Sequence, residues 1–274
     1  MSFPSKQVRL TLLALISALA VGCNPGAQAP APNPASDPAV ESPAPTENEP
    51  ESESDPGPGE GPVTSEPASP APVGKGGGEV KLVENPEAID VLVNKQNALS
   101  PDYVPPDLVE PKVRFIFDEW HERRMMRAEA AAALEEMFAA AEEDGIYLAG
   151  VSGYRSYGYQ EQLFNTYVSI DGLETAERYS ARPGQSEHQT GLAMDISGST
   201  GECAADDCFA GTPEAEWLAA HAHEFGFIIR YPEGKEDITG YMYEPWHVRY
   251  LGRDLARNVY ESGLTYEEYL ERNR

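Results

Sequence analysis

Residues 24–80 contain no aromatic residue and consist largely of Pro, Ala, Glu, Ser and Gly, closing on Gly76-Gly77-Gly78. Such a stretch cannot bury enough apolar surface to offset the entropy of ordering it. Its composition is that of an acidic tether stiffened by proline, a spacer rather than a partner-binding tail. Aromatic and β-branched residues return from about residue 85, and no internal repeat is visible. One folded domain is therefore expected over residues 85–274, behind a tether over residues 23–84.

Ahead of the tether, Lys6 and Arg9 precede an apolar run from Thr11 to Val21, followed by Gly22-Cys23. An apolar run this short is the core of a signal peptide, not a membrane span. A small residue directly before a cysteine resembles a bacterial lipobox, in which residues 1–22 are removed and Cys23 becomes a lipidated N-terminus. Ala20 stands where leucine is commoner. The alternative is a plain secretory signal with an incidental Cys23. Both readings place the protein outside the cytoplasm, and the first adds a lipid anchor of several acyl chains, enough for stable membrane attachment.

Formal net charge is −26, and residues 81–274 alone hold 17 basic and 36 acidic residues, a net of −19. Nucleic acid is excluded as a partner, because phosphate contacts need clustered Lys and Arg. The acidity reads as solubility through self-repulsion, or as adaptation to salty or acidic surroundings. A monomer is expected. The two remaining cysteines, Cys203 and Cys208, lie close together. In an oxidising compartment such a pair reads as a disulfide. A zinc site built on it would need a second Cys or His pair at suitable spacing, and none is present.

Residues 91–110 combine several prolines with an extended apolar pattern, which predicts a strand and a wrapping arm. Arg124–Glu143 is rich in strong helix formers and stops at Asp144-Gly145, a helix-end signal. Ile146–Ser152 is short, apolar and β-branched, a strand pattern. Further helices are expected over Tyr157–Ile170, Glu214–Phe225, Arg253–Glu261 and Thr265–Asn273, and short strands over Phe227–Arg230 and Trp246–Leu251. Helices grouped around a few mainly antiparallel strands make an α+β domain.

Of five histidines, His221 and His223 fall on an expected helix, where positions i and i+2 point apart, and read as structural. His121 sits in a charged run and reads as a solvated surface group. His188 lies in a polar segment ending at Asp195, and His247 three residues after Glu244. Two imidazoles, one carboxylate and a spare carboxylate are the parts of a hydrolytic zinc site, which keeps one position for water. There the metal acidifies water and the spare carboxylate takes its proton. By spacing alone, a polar loop residue for His188 and a buried strand histidine for His247 remain open.

The run Ser186-x-His188-x-x-Gly191-x-Ala193-x-Asp195, followed by Glu244-Pro-Trp-His247, resembles the VanY-type D-alanyl-D-alanine carboxypeptidases, zinc peptidases of the hedgehog/DD-peptidase fold. The resemblance spans nearly all of residues 91–274. It takes in Leu92-Val-Asn-Lys95, Ser152-Gly-Tyr-Arg-Ser156, Gln160, the cysteine pair and Ile238-Thr-Gly-Tyr241. It implies one zinc held by His188, Asp195 and His247, with Glu244 as the base and Arg155 near the scissile carbonyl. Ser186 and Gln160 are implied on the substrate side. Trp246 and Tyr250 read as packing or as substrate contacts, and Gly191 as a turn or a close approach to the metal. The implied substrate is a peptidoglycan stem peptide or its precursor, losing its last D-alanine. No Ser-x-x-Lys acylation motif is visible, so no acyl-enzyme is expected. Two further readings stay open. An L,D-carboxypeptidase would use the same metal motifs on tetrapeptide stems. A non-catalytic wall-binding lipoprotein would have lost a ligand or the base, and all four positions are filled here.

Overall fold

The computed structural model describes residues 80–274, and the signal segment, Cys23 and nearly all of the tether lie outside the described residues. Strand β1 (Lys81–Leu82) pairs in parallel with β2 (Asn97–Ala98), and β3 (Leu108–Val109) runs antiparallel to β4 (Met126–Arg127). Then come α1 (Ala128–Glu143), β5 (Leu148–Ser152), α2 (Tyr157–Asp171), the short α3 (Leu173–Ala176) and β6 (Ala193–Gly198). The chain continues through α4 (Pro213–His221), β7 (Phe227–Tyr231), the one-turn α5 (Glu236–Thr239), β8 (Glu244–Tyr250), α6 (Arg253–Ser262) and α7 (Tyr266–Arg272). The main sheet has the order β5-β6-β8-β7 and is antiparallel throughout, so the domain is α+β as expected.

Alternation along the strands decides what each face of the sheet carries. Residues two apart share a face. Met194, Ile196, Val248 and Tyr250 join Phe227 and the buried face of α1, including Leu134, Met137 and Ala141, in the main core. The residues between them, Asp195, His247 and Arg249, are thereby turned to the other face. In register, Asp195 stands opposite His247 and Met194 opposite Val248. No element was expected over residues 193–198. Asp, Ser and Gly lower the strand propensity of β6, and its burial on both faces overrides that preference.

Helix α1 ends at Asp144 with Gly145 at φ 80°, as its sequence implies, but begins four residues later than Arg124. Residues 122–124 form a separate 3-10 turn whose entry is capped by His121, its Nδ1 accepting from Arg123 N at 3.1 Å. His121 is half-buried with its ring edge-on to Tyr159, a correction to its reading as a solvated group. Residues 91–110 are mostly arm, with only two-residue strands. The domain also engages its chain earlier than residue 85. Lys81 N donates to Gln96 O at 2.8 Å, Val83 N to Ala98 O at 2.9 Å, and Val83 packs on the main core. Cys203 and Cys208 form a disulfide that closes a loop after β6, their Cα atoms 5.4 Å apart.

Candidate metal centre

Three short segments converge on the sheet face that carries Asp195 and His247. The first is a 3-10 turn over Glu187–Thr190, entered through Ser186, whose Oγ accepts from His188 N at 3.3 Å. It leaves through Gly191 at φ 67°, a left-handed conformation that favours glycine. A Cβ on Gly191 would also lie 2.9 Å from Leu108 Cδ2, so this glycine makes the turn against β3 and β4. The second segment joins β5 to α2. Gly153 N donates to Arg123 O at 2.6 Å, Tyr154 N to Met125 O at 2.7 Å, and Ser156 caps α2. Arg155, between them, donates its backbone N–H to His188 O, while Gly153 O pairs with His188 Nδ1 at 2.7 Å. The two segments thus fix each other.

The third segment is the start of β8. Pairing with β7 slips between Ile229↔Val248 and Tyr231↔Glu244, so Pro245, Trp246 and His247 stand against Arg230 alone. A regular strand would send Glu244 and His247 to opposite sides. The bulge brings Glu244 Oε2 to 3.9 Å from His247 Nδ1, and Pro245, which has no N–H to donate, fits the interrupted ladder.

His188, Asp195 and His247 offer ligand atoms that all lie within 4.8 Å of one another, and all three are buried. One oxygen of Asp195 faces His188 Nε2 at 3.3 Å, and the other pairs with His247 Nδ1 at 2.9 Å. Burial pulls His188 down to about 4, against the pull of Asp195. Burial also opposes charge on His247, but its hydrogen bond to Asp195 and the Glu187 carboxylate 3.5 Å from its Nε2 raise it to about 9. Asp195 is pushed up by burial and, more strongly, down by the two histidines, so its carboxyl stays well below the usual range. Burial raises Glu244 to about 8, with Asp195 and Glu187 adding to the rise and His247 and Arg155 opposing it. Two imidazoles and one carboxylate, already oriented, fit a divalent metal, and zinc's preference for N and O donors in sets of three suits them. A dication among them adds positive charge that lowers the neighbouring pKa values.

A cavity of about 340 Å³ opens onto this group. Arg155, Gln160 and Ser186 line it together with Glu244. Arg155 Nη2 lies 3.7 Å from Asp195, and its Nε is buried with no partner among the described residues. Gln160 holds Ala181 O through its amide nitrogen, leaving its buried Oε1 without a partner among the described residues. The fold thus does bring together the site residues expected from the sequence. Trp246 packs in the core and also lines the cavity, whereas Tyr250 is packing, its hydroxyl donating to Glu129. His221 and His223 lie apart from the cluster, His221 against Glu224 and His223 stacked on Tyr260.

Sequence reasoning missed four buried participants. Ser152, Tyr231 and Tyr241 line the cavity, and Ser152 Oγ and Tyr241 Oη have no partner among the described residues. Glu187, fully buried next to His188, is the fourth. Its Oε1 accepts from Arg230 Nε and from Arg249 Nη1, each at 2.7 Å. Burial would raise its pKa, but these arginines hold the carboxylate ionised, well below the usual range. The only sequence signals were its place inside the Ser-x-His motif and arginines in two strands.

A buried His–Asp–His group with a spare carboxylate beside it, on an antiparallel sheet, is the arrangement of a hydrolytic metal centre. A family model for VanY, D-alanyl-D-alanine carboxypeptidase, matches residues 123–253, which include every one of these site residues. YodJ of Bacillus subtilis (strain 168), which carries a provisional carboxypeptidase name, is 49% identical over 193 residues, 70% of this chain and 71% of that protein. The solved LdcB LD-carboxypeptidase is 49% identical with a TM-score of 0.67, covering 70% of this chain and 90% of that one. A vancomycin-resistance D,D-pentapeptidase, VanY, solved as a point mutant in complex with Zn(II), is 34% identical with a TM-score of 0.54, covering 66% and 98%. The chain belongs to the VanY family and is a carboxypeptidase.

Proposed function

We propose that the protein is a zinc carboxypeptidase that removes the C-terminal D-alanine from peptidoglycan stem peptides. The observation that carries this reading is the bulge in β8, which seats a buried Glu244 carboxylate beside the His188–Asp195–His247 group without joining it. Those three residues would hold the zinc, which when bound supplies a Lewis acid that polarises a carbonyl and acidifies water. Glu244 accepts the proton of the attacking water as the new C–O bond forms, and passes it to the amine as the C–N bond breaks. Arg155 presents a fixed fork of donors to the carbonyl oxygen or to the terminal carboxylate. The free acceptor of Gln160 suits a peptide N–H, and Ser186 can donate its hydroxyl proton while it caps the 3-10 turn.

Between the two possible bonds, the L,D bond of the tetrapeptide stem is our first reading. It is supported by greater likeness to the LD-carboxypeptidase, 49% against 34% identity and TM-scores of 0.67 against 0.54. The second reading, the D,D bond expected from the motifs, is supported by the description of the matching family. Mass spectrometry of defined tetrapeptide and pentapeptide stems after incubation with zinc-loaded protein tests both. Loss of one alanine from the tetrapeptide is expected, and a pentapeptide-only product would reverse the order. Neither peptide shortened would sink the proposal.

We further propose that the enzyme works as a monomer outside the cytoplasm, lipid-anchored through Cys23, with the acidic segment as spacer. Among the described residues no helix is long and apolar enough to cross a membrane. Cys23→Ala should release the protein from the membrane fraction, and unchanged membrane association would argue against the anchor.

A further inference from the structure

Glu187 stands between two functional parts. Its Oε1 is committed to Arg230 and Arg249, whose side chains, like its own, are completely buried. Its Oε2 points at His247 Nε2, 3.5 Å away. Among the described residues neither Oε2 nor Nε2 has any hydrogen-bond partner. The far nitrogen of the same ring, Nδ1, faces Asp195 and the ligand group. The ring cannot turn freely, because Tyr231 and His188 lie against it with centroids 5.0 and 4.8 Å away.

A neutral imidazole has one N–H and one lone pair. His247 can be a ligand through Nδ1 only if its proton sits on Nε2, and the group facing Nε2 is the Glu187 carboxylate. A carboxylate oxygen accepts and never donates, so Glu187 keeps Nε2 protonated, and the proton that Asp195 draws to Nδ1 from the other side is the one lost if Nδ1 takes up a metal. The geometry points to Glu187 as a positioning residue that holds His247 with Nε2 protonated and Nδ1 presented to the metal. This inference rests on the metal reading above and adds the residue that sets it up. Glu187 is itself oriented from the outer side. Arg249 also donates to Ile89 O and Val91 O, and Arg230 makes a two-point contact with Glu267 on α7. The N-terminal arm and the last helix thus help to fix the carboxylate that orients a ligand.

Glu187→Gln gives a signed expectation. Two arginine donors at the Oε1 position would hold the amide oxygen there, turning the NH₂ group toward His247 Nε2. A donor facing Nε2 favours the tautomer with the proton on Nδ1, the wrong one for ligation.

The test uses the full chain, ¹⁵N-labelled, with zinc alone as the probe. Imidazole two-bond ¹H–¹⁵N correlation spectra, with His247 assigned by its absence in His247→Gln, should show Nε2 protonated and Nδ1 without a proton in zinc-loaded wild type. Chelator competition should show Glu187→Gln binding zinc about 10- to 100-fold more weakly, the usual scale for loss of a group that orients a ligand. Its metal-free His247 should carry a proton on Nδ1 alone, where metal-free wild type, with a carboxylate facing each ring nitrogen, carries one on both. If Glu187→Gln does not fold, Glu187→Asp keeps the charge beside the arginines but draws the carboxylate back from Nε2. It should lose zinc affinity in the same direction, and the wild-type spectrum needs no variant. Coordination of wild-type His247 through Nε2, or full zinc affinity in a folded Glu187 variant, would overturn the inference and leave the metal reading intact. Absence of zinc uptake by wild type would remove both.

Discussion

Glu244 and His247 are three residues apart, both buried and 3.9 Å apart at Oε2 and Nδ1, yet one should handle a proton and the other a metal. Substitution separates them. Glu244→Gln keeps size and shape but cannot accept the proton, so turnover should fall about 100-fold or more while zinc content by elemental analysis stays near one equivalent. His247→Ala should lose zinc and activity together, because it removes one of three ligands. Should Glu244→Gln lose zinc as well, Glu244 is a ligand and the place of Asp195 must be reassigned. At this scale the gathering of His188, Asp195 and His247 with Glu244 beside them was readable, since these side chains stand in a fixed order of motifs. Glu187 was not. A glutamate in a polar run looks solvated, and its burial depends on arginines 43 and 62 residues away along the chain. Local pattern carries no record of such distant partners.

Among the elements, helices α1, α2, α4, α6 and α7 and strands β5, β7 and β8 were legible to within a few residues, because each has its own periodicity or end signal. Strand β6 was not, since Ala-Met-Asp-Ile-Ser-Gly becomes a strand only when flanked by β5 and β8. The bend at Glu244-Pro245 was foreseeable from proline's missing donor, but its form as a bulge against Arg230 needed the partner strand. How tightly the elements meet around the site is testable at Gly153. A Cβ there would lie 2.5 Å from Met125 O and 3.0 Å from Arg123 O, backbone atoms that cannot swing away. Gly153→Ala should cost about 1–3 kcal/mol of stability, the usual range for overpacking, measured by denaturant unfolding. Because Gly153 O holds His188 Nδ1, zinc affinity should fall with it. Gly158, exposed in the first turn of α2 with nothing within 4 Å of its added Cβ, is the control. Gly158→Ala should be neutral or stabilising by about 0.5–1 kcal/mol, through the smaller entropy of the unfolded chain. Equal losses at both glycines would mean that contact with the 123–125 segment does not govern the effect.

For the whole molecule, composition set the start of the domain near residue 85 and could not see the two-residue strand that lies before it. Residues 81–84 are charged or aliphatic, with no turn signal, and resemble the end of the tether as much as the start of a domain. What makes them domain is pairing with β2 and packing of Val83 on the core. Two truncations resolve the difference. A chain beginning at Val80 keeps every described contact and should cleave soluble stem peptides as fast as the full chain, because nothing in the described site comes from earlier residues. A chain beginning at Asn85 loses the backbone bonds Lys81 N–Gln96 O and Val83 N–Ala98 O and the burial of Val83. Each hydrogen bond is worth about 1 kcal/mol net, and partial burial of valine about as much again. The loss of roughly 2–3 kcal/mol should lower the thermal midpoint by several degrees in a domain of this size, at about 2–4 °C per kcal/mol. The effect should reach beyond the edge. β2 leads directly to Leu99, whose N–H donates to Gly184 O, two residues before Ser186 at the entry of the turn that presents His188. The shorter chain should therefore also need more zinc for half-maximal activity. Equal midpoints for the two chains would show that β1 adds nothing to the fold. A slow chain from Val80 would show that the acidic segment takes part in the chemistry.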